Sequence, residues 1–257
     1  MSDLVAALKT LGLHHSTAHL DDLIDRATRA RMAPRQLLEL LASEELKDRA
    51  CRSLDRRMQR AQLGRFKPMT DFDWNWPRAI DRELIDAALR LEFLAEPRNV
   101  VLVAAQGLGK TMIAQNIAHQ AVLAGHGVLF TTAARMLTDL GSVQGSPHLF
   151  QPRLRKYTRV AVLVCDEVGY LSYDTRAADL LFQVISERHE KRPSVLTTNL
   201  GFSDWPTIFP NASCTVALID RVIHHADVVS IEGDSYRRRE AEAAKAGRKP
   251  PKKKTAG

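Results

Sequence analysis

The stretch Gly107-Leu108-Gly109-Lys110-Thr111 combines the residue types that bind a phosphate group. Glycines allow successive backbone N–H groups to curve around phosphate oxygens, the Lys110 ammonium neutralises phosphate charge, and the Thr111 hydroxyl can ligate Mg²⁺. An apolar run, "NVVLVA", precedes these residues and a helical pattern follows them, so the positive end of a helix would face the phosphate. The spacing predicts a nucleotide-binding loop formed by Gly107, Leu108, Gly109, Lys110, Thr111 and Met112.

The start of this loop departs from the usual motif, because Ala104 stands where the first glycine belongs. If the backbone of Ala104 keeps a negative φ, its methyl group only crowds the phosphates slightly. If the fold requires a positive φ there, alanine costs of order 1 kcal/mol and distorts the loop. We expect nucleotide binding to be retained, with weakened hydrolysis as the open alternative.

Two acidic residues, Asp166 and Glu167, end the most apolar predicted strand, and Asn199 ends the next. Asp166 is predicted to hold the Mg²⁺ shell through water, together with Thr111. Glu167 would polarise the attacking water, and the Asn199 amide could reach the γ-phosphate or that water, because hydrolysis needs a positioned base besides a phosphate clamp. The predicted catalytic groups so far are Glu167, Lys110 and Asn199. The alternatives are an acidic turn for the pair and a turn-forming role for Asn199.

The elements that would position these residues form an alternating pattern from Asn99 onward. Alternation of short apolar runs with helical patterns predicts a doubly wound, parallel α/β sheet with flanking helices. Ligands of such sheets lie at the carboxyl ends of the strands, where all the polar residues above occur. The predicted strands are 99–104, 127–132, 159–167 and 194–199, and the predicted helices are 111–125, 133–140 and 175–191.

Four regions are predicted along the chain. Residues 1–65 show helical periodicity and form a small DNA- or partner-binding domain. Residues 66–98 are a linker with one helix, and the aromatic side chains of this linker are expected to pack onto the next domain rather than stack on bases. Residues 99–236 form the nucleotide-binding domain. Residues 237–257 form a basic, disordered tail.

The charge of the chain is concentrated in two places. The net charge is 37 − 30 = +7, and the tail from residue 237 supplies all of it, with nine basic and two acidic residues. A second basic zone, residues 49–67, includes Arg49, Arg52, Arg56 and Arg60 on one helix face, and these arginines are expected to have almost no acidic partners. The phosphates of nucleic acid would relieve this repulsion, which predicts DNA contact. The alternatives are a solvated arginine stripe and a tail that only maintains solubility.

Several classes of protein are disfavoured. No apolar run approaches the roughly 18 residues that span a bilayer, and the amino terminus does not resemble an export signal. Three widely separated cysteines fit neither a disulfide framework nor a metal site, so we expect a cytoplasmic protein without membrane contact. The pairs His14-His15 and His224-His225 cannot chelate alone, because adjacent helical side chains point about 100° apart.

Five segments together resemble the IstB branch of AAA+ ATPases, which is similar to the helicase loader DnaC. They are GLGKTMIAQNIA, LFTTA, LVCDEVGYL, SVLTTNLGFSDW and LIDRVIHHADVVSIEGDSYR, and the resemblance covers nearly the whole chain. It implies a P-loop AAA+ fold, ATP and Mg²⁺ as cofactors, and a homo-oligomer on double-stranded DNA that works with the transposase of the same element. It also implies that Arg221 is an arginine finger acting on the neighbouring subunit and that Arg237 is a second nucleotide sensor. The alternatives are a helix-surface arginine and the start of the basic tail.

The expected function is therefore that of an ATP-hydrolysing, DNA-binding regulator that assists a transposase. A helicase loader is the close alternative, because it would share all five segments. A non-hydrolysing ATP-binding adaptor is the third, if the altered loop is inactive.

Overall fold

A computed structural model describes residues 2–170, 173–209 and 212–246 of the chain. Its internal contacts divide the chain into two units, Met1–Gln59 and Arg60–Gly257. In the part of the chain that the structure describes, no helix is long and apolar enough to cross a membrane.

The first unit is helical, as the sequence predicts. Its elements are α1 (Ser2–Thr10), α2 (His14–Ala18), α3 (Leu20–Arg29) and α4 (Pro34–Ala61), the last of which extends just past the unit. Proline suits the first turn of α4, because an N–H group there has no partner within the helix.

A buried carboxylate joins α2 to α4. Glu45 is only 2% exposed and accepts hydrogen bonds from the Ser16 backbone N–H at 3.0 Å and the Ser16 hydroxyl at 3.3 Å. It also pairs with Arg49 at 3.1 Å. Burial raises the pKa of Glu45, but the Ser16 and Arg49 interactions outweigh burial and leave this pKa below its usual value. The ionised form is therefore the one that the fold stabilises.

The second unit is built on a six-stranded sheet. The strands are β1 (Ala79–Ile80), β2 (Asn99–Ala104), β3 (Val128–Thr132), β4 (Val162–Val168), β5 (Ser194–Thr198) and β6 (Ala226–Glu232). Their order is β1-β6-β2-β5-β4-β3, and every pair is parallel except β1 with β6. The predicted parallel sheet is confirmed. Strand β6 was not predicted from the sequence, because its burial alternates instead of forming one continuous apolar run.

Helices flank this sheet. They are α5 (Arg82–Leu89), α6 (Lys110–Leu123), α7 (Ala133–Gly141), α8 (Pro147–Thr158), α9 (Thr175–Arg188), α10 (Ala212–Ile223) and α11 (Tyr236–Ala246). Short 3₁₀ segments occur at Met69–Asp71, Glu92–Leu94 and Phe202–Thr207. Helix α6 begins at the phosphate-loop lysine, so its amino end faces the loop.

Helix α11 corrects the prediction of a disordered tail over its first ten residues. The tail was predicted from residue 237, but the chain is helical from Tyr236 to Ala246. The Tyr236 N–H donates to the Gly107 carbonyl at 3.0 Å, which ties the start of the helix to the phosphate loop. Alanine, glutamate and arginine then favour helix continuation. Residues 247–257 of the predicted tail lie outside the described residues.

Candidate nucleotide-binding site

A cleft of about 340 Å³ opens at the carboxyl ends of β2, β4 and β5. This size suits a small-molecule ligand. The starts of α6 and α11 and the segment before β1 complete its walls. Ten residues predicted for nucleotide, metal or catalysis lie together in it: Gly107, Leu108, Gly109, Lys110, Thr111, Met112, Asp166, Glu167, Asn199 and Arg237. The structure therefore gathers the predicted groups of one chain, and their chemical roles stay predictions.

Both loop glycines occupy backbone conformations that a side chain would disturb. Gly107 has φ = 83° and Gly109 has φ = 86°, both in the left-handed region. A Cβ on Gly107 would lie 2.1 Å from the Ser235 Oγ, and one on Gly109 would lie 2.6 Å from the Phe72 ring. Glycine is thus required at both positions by conformation and by space.

Ala104 is accommodated without backbone strain. It is the last residue of β2, where it pairs with Ile231 of β6, and it is not among the described residues with positive φ. Of the two alternatives for this position, the structure has the extended backbone that alanine adopts freely. The missing glycine therefore leaves the loop conformation intact.

The Lys110 ammonium lies inside the loop. Its Nζ donates hydrogen bonds to the carbonyl oxygens of Ala104, at 2.6 Å, and Ala105, at 2.8 Å. Burial lowers the pKa of Lys110; the charge of Asp166 opposes this shift and the charge of Arg237 adds to it. A phosphate in the loop would compete with two neutral carbonyls for this cation, and the charged partner gives the stronger hydrogen bond.

Asp166 has the surroundings of a cation ligand. It is 4% exposed and accepts hydrogen bonds from the Thr111 hydroxyl, at 3.0 and 3.2 Å, and from the Thr197 hydroxyl. Among the described residues, none forms an ion pair with this carboxylate. A buried carboxylate normally has a cationic partner or binds a metal, and oxygen ligands suit Mg²⁺. Thr111 and Asp166 therefore fit the predicted metal site.

Thr197 is a site residue that was not predicted from the sequence. Besides its bond to Asp166, its Oγ1 accepts a hydrogen bond from the Glu167 backbone N–H at 2.9 Å. Glu167 has φ = 60° and lies where the pairing of β4 with β5 shifts, so its backbone is held in a conformation costing of order 1–3 kcal/mol. One threonine thus contacts both acidic residues. Its position two residues before Asn199 was the available signal, because strand side chains alternate.

Aromatic residues of the predicted linker line the other side of the cleft. Phe72 and Trp76 both border it, and the Trp76 indole N–H donates to the Asp234 carbonyl at 2.7 Å. Trp76 also meets the Tyr236 ring edge to face, at 5.9 Å between centroids, and the Arg239 guanidinium at 4.4 Å. These side chains pack within the second unit against the loop and the start of α11, while partly exposed ring surface borders the cleft.

Arg221 lies away from this cleft. Its guanidinium stacks on the Phe182 ring at 4.7 Å and donates to the Ala217 carbonyl at 3.1 Å. The Arg221 backbone carbonyl lies 3.4 Å from the side-chain amide nitrogen of Asn99, which is the first residue of β2. The phosphate loop follows the last residue of β2, Ala104, at the opposite end of the strand. Six strand residues span roughly 17–20 Å. Arg221 therefore does not reach the nucleotide cleft of its own chain.

The arginine stripe of α4 differs from the prediction in its partners. Arg49 pairs with Glu45 at 3.1 Å and also donates to the Gly12 carbonyl, and Arg52 pairs with Asp48 at 2.6 Å. The prediction that these arginines have almost no acidic partners is wrong for this pair, because Glu45 and Asp48, just before the basic zone, each lie one helical turn before one of the two arginines. Arg56 and Arg60 are exposed, and the structure records no ion pair for either within the described residues.

Comparisons with known proteins agree with this geometry. The family model described as "IstB-like ATP binding protein" matches residues 6–244. A Pseudomonas aeruginosa protein named for ATP binding in insertion sequence IS21 is 32% identical over 95% of this chain and 92% of its own length. A similarly named Bacillus thuringiensis protein, of insertion sequence IS232, is 32% identical over 91% and 93%. The crystal structure of DnaI has the same fold, with a TM-score of 0.52 at 17% identity over 68% of this chain and 92% of that one.

Proposed function

Because the chain belongs to the IstB-like ATP-binding protein family of insertion sequences, we propose that it hydrolyses ATP to regulate DNA transposition. The observation that carries this proposal is the convergence of Lys110, the Thr111–Asp166 pair and Glu167 at one cleft. These are the parts that phosphoryl transfer to water requires: a phosphate clamp, a metal site and a carboxylate to orient the nucleophile.

Each group of residues in the cleft has a separate role in the proposed hydrolysis of ATP. Lys110 and the loop N–H groups bind the β- and γ-phosphates, while Thr111 and Asp166 hold Mg²⁺. Mg²⁺ would supply electrostatic stabilisation of the phosphate oxygens. Glu167 accepts a hydrogen bond from the attacking water, and Asn199 orients that water or the γ-phosphate. The strained backbone of Glu167, fixed by Thr197, keeps this carboxylate directed at the cleft.

The aromatic wall provides a place for the adenine base. Phe72 and Trp76 present ring surface to the cleft, and stacking on aromatic side chains contributes about 1–3 kcal/mol per base. Arg237, at the start of α11, lies in the same cleft and acts as the second sensor by contacting the phosphates.

The Arg221 guanidinium of a neighbouring subunit would add the positive charge that completes the catalytic site. Arg221 lies outside the cleft of its own chain, so the arginine-finger role requires a neighbouring subunit to receive it. This makes the active form a homo-oligomer in which ATP sits between subunits. An arginine supplied across such an interface raises the rate of phosphoryl transfer by about 10³–10⁵.

Double-stranded DNA and the transposase of the same element are the proposed partners of this cytoplasmic assembly. The exposed Arg56 and Arg60, with Arg49, Arg52 and the basic tail, would contact the phosphate backbone. Each phosphate neutralised changes the slope of log K against log salt by about 0.9. The double variant Arg56→Ala/Arg60→Ala should therefore reduce that slope by about 1.8, as measured by fluorescence anisotropy with duplex DNA. An unchanged slope would remove both residues from the DNA interface.

The central test is ATP turnover by the full chain with and without duplex DNA. We expect Lys110→Ala to lose nucleotide binding, and Glu167→Gln to bind ATP while turnover falls at least 100-fold. Glu187→Gln, an exposed glutamate of α9 outside the cleft, is the matched control and should behave like the unmodified chain. If the unmodified chain is as inactive as Lys110→Ala in both binding and turnover, the proposed ATPase function is wrong.

The binding measurement separates this proposal from a non-hydrolysing adaptor. An unmodified chain that binds ATP as tightly as Glu167→Gln, and turns it over no faster with or without DNA, would be an adaptor. The extended backbone at Ala104 argues against that outcome, because it removes the strain that would have distorted the loop.

A further inference from the structure

The ends of α9 and α10 bring together three side chains that can ligate a metal. The Nε2 atom of His189 and the Nδ1 atom of His224 each lie 3.7 Å from the same carboxylate oxygen, Oε1 of Glu190. One candidate ligand atom from each residue lies within 4.8 Å of the other two. His189 and Glu190 are the two residues that follow α9, and His224 is the residue that follows α10.

The backbone beneath the cluster is well fixed. Arg188, the residue before His189, is 1% exposed and donates hydrogen bonds to the carbonyls of Val160 at 2.8 Å and Pro193 at 2.5 Å. Glu190 itself has φ = 57°, in the left-handed region that few residues other than glycine adopt. The buried guanidinium of Arg188 fixes the end of α9. The left-handed backbone at Glu190 then directs the Glu190 side chain toward His224.

Two of the three separations between ligand atoms are close to those around a bound metal ion. Zn²⁺ binds nitrogen and carboxylate oxygen at about 2.0–2.1 Å, which separates neighbouring ligands of a tetrahedron by about 3.3 Å. The two imidazole–carboxylate separations of 3.7 Å exceed this by less than half an ångström, and the ligand nitrogens of the two imidazoles lie within 4.8 Å of each other. All three side chains are partly exposed, so small rotations can bring them onto an ion and leave the fourth position to water.

The composition of the cluster selects a class of ion. Imidazole is a ligand of Zn²⁺, Cu²⁺, Ni²⁺ and Co²⁺, whereas Mg²⁺ and Ca²⁺ prefer sites made wholly of oxygen. The carboxylate supplies one negative charge, and in the part of the chain that the structure describes its only ion-pair partners are the two imidazoles. No other cation of the described residues therefore neutralises Glu190.

We propose that His189, Glu190 and His224 bind a divalent transition-metal ion, with Zn²⁺ as the best match. The site is separate from the proposed Mg²⁺ site, because the two lie at opposite ends of β2. The backbone carbonyl of His225, next to His224, accepts a hydrogen bond from the N–H of Asn99, the first residue of β2, whereas the phosphate loop follows Ala104, the last residue of β2. The ion would link the ends of α9 and α10, the two helices that carry Phe182 and Arg221. Binding to the folded chain alone would raise its stability.

The test is calorimetric titration of the metal-free, nucleotide-free full chain with ZnCl₂, paired with thermal unfolding. We expect one Zn²⁺ per chain and a higher unfolding midpoint, which EDTA reverses. His189→Ala and His224→Ala should each weaken binding at least tenfold. Glu190→Gln, which keeps the side-chain size, should also weaken it. Unfolding in EDTA should be the same for these variants and the unmodified chain, because only metal-dependent stability is lost.

Two control variants exclude binding elsewhere. His148→Ala removes an exposed histidine of α8, and His15→Ala removes one of the histidines of the first unit, which faces Asp48 at 3.6 Å. Both should retain full Zn²⁺ affinity. The proposal is overturned if the unmodified chain takes up no Zn²⁺, or if the double variant His189→Ala/His224→Ala binds it with unchanged affinity. Neither result depends on ATP hydrolysis.

Discussion

Replacing Gly107 with alanine would test whether the conformation of the phosphate loop depends on its close packing against the residue before α11, Ser235. Gly107 has φ = 83°, and a Cβ there would meet three atoms of Ser235: Oγ at 2.1 Å, Cβ at 3.0 Å and Cα at 3.3 Å. The hydroxyl can rotate away, but the Ser235 backbone cannot move without shifting the start of α11. The substitution should therefore disturb Arg237, two residues further along that helix.

The size of the effect follows from two separate contributions. A non-glycine residue at positive φ costs about 1 kcal/mol. Overpacking against Ser235 adds about 1–3 kcal/mol, as for extra atoms in a packed interior. Gly125 is the matched control, because it also has positive φ, 97°, but a Cβ there would meet nothing within 4 Å. Gly125→Ala should cost only the first contribution.

Denaturant unfolding and titration with a fluorescent ATP analogue would measure both consequences. We expect Gly107→Ala to lower the free energy of unfolding by about 1–3 kcal/mol more than Gly125→Ala does. Nucleotide affinity should fall about 10- to 100-fold in Gly107→Ala, since 1.4 kcal/mol corresponds to a factor of ten. Gly125→Ala should bind the analogue normally. If the two variants are equal in stability and in affinity, the close packing of the loop on Ser235 contributes to neither property.

Three further predictions concern individual contacts. Ala104→Gly should leave ATP affinity and turnover within about twofold, because the backbone there is already extended, and a large gain in rate would show that alanine impairs the loop. Thr197→Val removes the hydroxyl between Asp166 and the Glu167 N–H, so turnover should fall at least tenfold while ATP affinity changes little. Thr197→Ser keeps the hydroxyl and should retain turnover, whereas equal losses in both variants would assign the effect to packing. The pKa of Glu45 in the folded chain is below its usual value of about 4.3, so its stabilisation is complete above that pH and is lost as pH falls through the lowered pKa. Hydrogen exchange of α2 and α4 should therefore accelerate below about pH 4.3 in the unmodified chain more than in Glu45→Gln, and equal acceleration would contradict this.

Local patterns in the sequence determined the nucleotide-binding part of this protein. The phosphate loop, Asp166 and Glu167 could be predicted because each follows a continuous apolar strand, and the ends of parallel strands meet at one edge of a sheet. Such runs carry their own signal, since a strand buried on both faces needs no knowledge of its neighbours to be identified. The backbone conformation at Ala104 could not be predicted from the sequence, because alanine is compatible with either of the two conformations considered.

Tertiary structure decided the contacts between segments that are far apart in the chain. Thr197 bonds to Asp166 across 31 positions, Trp76 reaches Asp234 across 158, and His189 faces His224 from a different helix. Periodicity describes which face of one element is apolar, but not which element of another segment lies opposite. The partners of the acidic pair, the aromatic wall and the histidine cluster therefore became visible only once the sheet order and the helix ends placed these segments side by side.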